Sequence, residues 1–419
     1  MTHRAFWTKL SHSGLTNLFR ALIISGFPAA SMISTYTGVS ISIPYRIFVF
    51  VIAFLVLYIT LARARRVTID IWLVFFFVAY LVRMLYDWLR VDIDGADFHL
   101  LFFTVTVLIP VLASVAAGPV EEAVLGNWLF RISLFTISLA VLALLFDLDF
   151  NPWGDAGDDA NLSRLQFEKL NPISLAHAAG VYLIYAAYRS LTYRPKILEF
   201  AILLSGCILA FYTMVLANSR GPILAFGAAI GFLLLSRREK AAKFAFFTLV
   251  LSPLLIFAAP LLLDFIGEGL EKLWTRFTLD NDQSTLDRFF IQARAVESFT
   301  NNPIFGAHYR DPQLNTNQYP HNLLIETAMA LGIVGLIPFV FLNFRAFMRI
   351  ISKHGRRFPL TSALFIQQFI GTSLSGSLWS ADSFFLIMSM VLTWRIQPAS
   401  KNQAMRVSRT PSRVPLRLL

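Results

Sequence analysis

Apolar residues in this chain neither alternate nor trace a single helical stripe; they run almost unbroken for roughly 20 residues at a time between short polar breaks. About 20 apolar residues in a helix cross some 30 Å of hydrocarbon. The pattern therefore predicts an all-α, polytopic membrane protein with about twelve transmembrane helices, over 17–37, 44–62, 68–86, 98–117, 124–146, 171–190, 197–217, 222–236, 243–266, 321–344, 359–378 and 382–397. The weakest are 222–236, which is short, and 382–397, which follows its predecessor closely.

The polar breaks alternate in sign. Arg63, Arg65 and Arg66, then Arg189, Arg194 and Lys196, then Arg237, Arg238, Lys240 and Lys243, then Arg345, Arg349, Lys353, Arg356 and Arg357 fall on one side of the expected membrane. Asp92, Asp94 and Asp97, and Asp147 through Asp159, fall on the other. Basic short loops mark the cytoplasmic side, so both termini are expected inside. The expected organisation is a cytoplasmic N-terminus over 1–16, a transmembrane domain over 17–397 that includes a large, partly helical periplasmic loop at 267–320, and a basic cytoplasmic tail over 398–419. The polar, basic stretch from Met1 to Arg20 does not read as a cleavable signal.

Composition agrees with this reading. Of 419 residues, 56% are hydrophobic and 15% charged, against about 25% charged in an average soluble domain, which argues against a soluble enzyme. The net charge of +11 is divided among short loops instead of gathered on one face, so membrane topology explains it and nucleic acid is not an expected partner. The single Cys207 forms no internal disulfide.

The loop at 267–320 holds a predicted helix around Ser284 to Ser298, the turn Asn301-Asn302-Pro303 and many aromatic residues. A loop this long and aromatic is expected to be ordered and functional. Where it meets the next span stands His321-Asn322, followed after nine residues by Gly332-Ile-Val-Gly335. Pro320 suits a helix start, and a His at a helix N-terminus stays neutral and acts as a base. The glycines are expected to allow close helix packing within the membrane. Arg220, in Ala-Asn-Ser-Arg-Gly-Pro, is held at the outer boundary, where an arginine pairs, snorkels or binds an anion. Arg276, Arg288, Arg294 and Arg310 lie on the outer loop, and one or two of them with Arg220 would hold a diphosphate by bidentate contacts. His177 and Asp382 have plain structural readings, as a packed core residue and a helix cap; Asp382 is kept as a candidate substrate contact. There is no P-loop, zinc spacing, nucleophile elbow or dinucleotide fingerprint, so no metal and no cofactor is expected.

At these residues the chain resembles the bacterial O-antigen ligase and polymerase superfamily, and within it the O-antigen ligases. The resemblance rests on the span pattern, the late outer loop, Arg220 with Leu224, Asn301-Asn302-Pro303-Ile-Phe-Gly306 and, most specifically, His321-Asn322-x9-Gly332-x-x-Gly335. It implies an inverting, metal-independent glycosyltransferase of the inner membrane whose active site faces the periplasm. The donor implied is a glycan on undecaprenyl diphosphate, and the acceptor a sugar hydroxyl of the lipid A-core. His321, Arg220 and Arg288 would be catalytic. Arg220, Arg288, Arg310, Asn322 and Asp382 would contact substrate, with membrane lipids as the other partners. The alternatives are an O-antigen or exopolysaccharide polymerase of the same superfamily, a protein O-oligosaccharyltransferase, and a transporter of lipid-linked glycan. A transporter places ionisable groups at midplane in broken, repeated helices, whereas the best candidates here cluster at one face.

Overall fold

The computed structural model describes residues 13–63, 69–146, 170–193, 195–236, 283–314 and 318–394. Among them there are helices and turns and no strand. In chain order the helices are α1 Ser13–Thr37, α2 Ser42–Arg63, α3 Ile71–Val91, α4 Ala96–Ala117, α5 Glu122–Leu145, α6 Pro172–Thr192, α7 Ile197–Leu216, α8 Arg220–Ser236, α9 Gln283–Asn301, α10 Leu323–Ile351, α11 Lys353–Arg357, α12 Pro359–Ser375 and α13 Asp382–Leu392. Seven of them, α1 to α5, α7 and α10, are long and apolar enough to cross a membrane; α8 and α13 are apolar but shorter. The expected span at 243–266 lies outside the described residues.

The helices stand side by side, most reversing direction at each break, so the bundle has two ends. One carries His321 at the start of α10. The other is held by polar pairs: Arg345 Nη1 on Asp70 Oδ2 at 2.5 Å, Arg189 Nε on Glu199 Oε1 at 2.6 Å, and the Thr361 N–H donating to Glu122 Oε1 at 2.7 Å. Arg20 lies inside α1 and is fully buried. Its guanidinium donates to the carbonyls of Ser114 at 2.8 Å and Gly118 at 2.6 Å, the orphan acceptors at the end of α4, where positive charge also complements the helix dipole.

Large aliphatic and aromatic side chains along α2, such as Phe48, Val51, Phe54 and Tyr58, point out of the bundle, as lipid-facing surface does. Inside, Phe76, Phe77, Tyr80, Phe103, Phe339, Phe384 and Phe385 interlock, with Phe77 and Phe385 edge to face at 5.2 Å. This aromatic plug lies beneath the His321 end and supports what is mounted there.

Candidate functional site

The segment 302–309 is clamped onto the bundle by α3 and α10. Within α10, Gly332 has φ +59 and ψ −156, a conformation essentially open to glycine alone, and breaks the helical ladder. The break releases backbone groups, and three of them find partners in the outer segment. Ile333 N–H donates to Pro303 O at 2.8 Å and Val334 N–H to Ile304 O at 3.2 Å, while the Met329 carbonyl accepts from Ala307 N–H at 2.8 Å. Gly306, also left-handed at φ +73, faces Gly332 across this contact; a Cβ on Gly332 would come within 2.4 Å of the Ile304 oxygen. The expected role of Gly332 in packing one membrane helix on another is therefore corrected: it makes a backbone seat for the Asn-Asn-Pro-Ile-Phe-Gly turn. Gly335 accommodates the side chain of Leu331 from its own helix.

The outer end of α3 closes the clamp. Arg83 donates to the carbonyls of Ala307 at 2.9 Å and Phe305 at 2.7 Å. Asp87, buried in a π-helical turn, accepts from Tyr309 N–H at 2.7 Å. Neither residue is singled out by sequence, because their partners lie over 200 positions away.

Chain emerging from this clamp leads to His321. Its φ of +54 turns the backbone into α10, where the Asn322 side chain caps the helix by accepting from Leu324 N–H at 3.0 Å and Ile325 N–H at 3.2 Å. The Tyr319 ring lies on the imidazole, centroids 4.1 Å apart, and its hydroxyl, pushed up to about 12 by burial, donates to Ser375 O at 3.4 Å. Burial, then the positive charge of Arg288, lower the His321 pKa from 6.5 to about 4, against the Ser375 carbonyl, which favours the protonated ring. The imidazole is neutral, and its buried Nδ1 has no hydrogen-bond partner among the described residues.

Two residues at the end of α12, Leu374 and Ser375, lie next to Arg288 and His321 and beside the start of the helix that Arg220 opens. Arg288, on α9, donates to Leu374 O at 3.3 Å, and Gln292, one turn on, donates to Pro320 O at 3.0 Å, next to His321. Arg220 opens α8 after a turn in which Asn218 has φ +45. A Cβ on its neighbour Gly221 would stand 3.6 Å from Leu374 Cβ. Glu326, a buried acid in the first turn of α10, fixes this corner: it accepts from Ser377 Oγ at 2.8 Å and Leu378 N–H at 3.0 Å. Sequence reasoning passed over Glu326, although an acid inside an apolar run was the available signal.

The other expected contacts stand apart. Arg310 is buried and donates to Asp94 O at 2.6 Å, while its Nε and Nη1 have no partner among the described residues. Asp382 starts α13 and lines an internal cavity, its Oδ1 accepting from Ser383 N–H at 2.5 Å. Arg294 is paired with Asp311 at 2.7 Å, and Arg276 lies outside the described residues. No group of three His, Cys, Asp or Glu placed to share a metal ion occurs among the described residues.

No curated protein matches the chain. Residues 205–340, which include Arg220, Arg288, His321 and Gly332, match the family model described as O-antigen ligase.

Proposed function

We propose that this chain, whose residues 205–340 match the family model described as O-antigen ligase, is an O-antigen ligase of the bacterial inner membrane, working at the periplasmic face. It transfers a glycan from undecaprenyl diphosphate to a sugar hydroxyl of the lipid A-core. The observation that carries this reading is the convergence of a neutral imidazole with an unpartnered Nδ1 and the Arg288 guanidinium on Leu374 and Ser375, beside the helix that Arg220 opens.

In the reaction His321 accepts the proton of the acceptor hydroxyl, and the oxygen attacks the anomeric carbon from the side opposite the diphosphate. The bond from that carbon to the diphosphate oxygen breaks, its electron pair leaves with undecaprenyl diphosphate, and the configuration inverts. Arg220 and Arg288 hold the departing diphosphate and stabilise the negative charge that develops on it. Asn322 is spoken for through its side-chain oxygen, which leaves the amide nitrogen for substrate.

Purified protein given lipid-linked glycan and lipid A-core tests this. Transfer is expected with wild type, with a loss of about 100-fold or more in His321→Ala and a comparable loss in Arg220→Ala, at unchanged expression. Extension of one lipid-linked glycan by another, with no product on the lipid A-core, would assign the polymerase reaction. Near-normal transfer by His321→Ala would remove the imidazole from the mechanism.

A further inference from the structure

A second polar neighbourhood lies deeper in the bundle. A cavity of about 320 Å³ is lined by Arg46, His177, Gln368 and Asp382 together with the rings of Phe27 and Phe102. Arg46 is four residues into α2, His177 five residues into α6, and Gln368 seven residues before the end of α12. At about 1.5 Å per residue these depths are roughly 6 to 10 Å below the His321 end.

Polar side chains among apolar helices are costly unless hydrogen-bonded, yet these four hold back most of their capacity. Gln368 is only 8% exposed, and its amide bonds to no described residue. The buried Nδ1 of His177 likewise has no partner among the described residues, and its ring packs against Gly371, where a Cβ would come within 2.3 Å of Cε1. Arg46 sits over Phe102 at 4.3 Å and Phe27 at 5.1 Å and forms no ion pair among the described residues. Asp382 uses only Oδ1, on Ser383.

Each simple ligand class meets an objection except one. A phosphate calls for cations without a facing carboxylate, an acyl chain for no polar lining, and a divalent cation for more oxygen donors and no guanidinium. One cation, one carboxylate, an amide and an imidazole match a sugar ring, whose hydroxyls both donate and accept. The volume is at the small end of the roughly 300–1,000 Å³ of small-ligand pockets, which suits one or two rings. We propose that this cavity is a sugar-binding subsite in which Arg46, His177, Gln368 and Asp382 recognise the hydroxyls of one monosaccharide of the substrate. This rests on the glycosyl-transfer reading. Gln368 and Ser375 share α12 two turns apart, so the subsite and His321 are joined by one rigid element, and a ring next to the bond being made or broken can reach both.

The test uses full-length protein in lipid nanodiscs. Its probes are bare undecaprenyl diphosphate, the same lipid carrying the glycan of the native host, and the lipid A-core acceptor. Gln368→Leu keeps the volume and removes the amide; Arg46→Gln is the second variant, in case the first does not fold. Both are expected to bind bare lipid as wild type does. If the ring belongs to the donor, both lose about 5-fold in affinity for the glycan-bearing lipid; if it belongs to the acceptor, KM for the acceptor rises by about the same factor, with kcat nearly unchanged. An unchanged preference for glycan-bearing over bare lipid, together with an unchanged acceptor KM in both variants, overturns the proposal. Absence of any transfer by wild type would instead defeat the glycosyl-transfer reading, and the binding ratios would still judge the subsite.

Discussion

The two halves of the string from His321 to Gly335 meet the outer segment in opposite ways. At Gly332 the contact is backbone on backbone, with Ile333 N–H, Val334 N–H and Met329 O paired with Pro303, Ile304 and Ala307. Eleven residues earlier, at His321, the contact is made by side chains, and a buried ring nitrogen is left without a partner among the described residues. The first arrangement uses its hydrogen-bonding groups; the second leaves one unused. On the proposed function one end of the string is architecture and the other chemistry, and the architecture holds the chemistry in register.

Breaking the architectural half should have the largest effect. Gly332→Ala puts a Cβ within 2.4 Å of the Ile304 oxygen in a backbone conformation that a side chain resists. The strain alone costs about 1–3 kcal/mol, and the clash is with main chain that cannot step aside, so a total of about 3–5 kcal/mol is expected. The readouts are the melting temperature in detergent and the yield of monodisperse protein. A variant that melts with wild type would show that the seat is soft.

Glu326 joins the two halves, and Glu326→Leu should cost less. Leucine keeps most of the volume but offers no acceptor to Leu378 N–H and no polar partner to Ser377 Oγ. Leaving the buried Leu378 N–H unsatisfied costs about 1–3 kcal/mol. Transfer is expected to fall further than the melting temperature alone suggests, because this corner also sets the Ser375 carbonyl against His321. Loss of stability with wild-type kcat would separate Glu326 from the site.

How much of this was legible depends on the kind of signal each residue carries. Helix α9, predicted around Ser284 to Ser298, runs Gln283–Asn301, and α10 starts beside Pro320 and His321 as predicted, because caps, turns and apolar runs are local. The kink at Gly332 was not legible: a glycine's sign of φ depends on the segment it faces, here some 30 positions earlier in the chain. That Arg20 caps α4 was not legible either, because its acceptors lie more than 90 positions further on. Gln368 gave no signal at all, since one amide in an apolar run reads the same whether it faces lipid, protein or a cavity. Arg220, Arg288 and His321 were named from spacing and resemblance, but that Arg288 and His321 both lie against Leu374 and Ser375 is visible only in three dimensions, since those two residues are ordinary in sequence.

The chemical half is sharpened by pH, with the smallest expected effect. A base works only when unprotonated, and the His321 pKa of about 4 keeps the ring in that form through the neutral range. If His321 is the base, kcat/KM of wild type should stay level as pH falls from 7 to about 5 and drop only on approach to 4, where an ordinary imidazole would already fail near 6.5. Stability follows the same lowered pKa: between 6.5 and about 4 the unfolded chain binds the proton that the folded ring refuses, so falling pH destabilises the fold across that window and no further below it. Arg288→Gln removes the second cause of the shift and leaves the first, burial. The ring titration, followed by NMR in the unliganded protein, should therefore move up and still stop short of 6.5, narrowing the window of pH-dependent stability from its lower edge. An unmoved titration would mean that the Arg288 charge does not reach the imidazole, and that the two act on substrate independently.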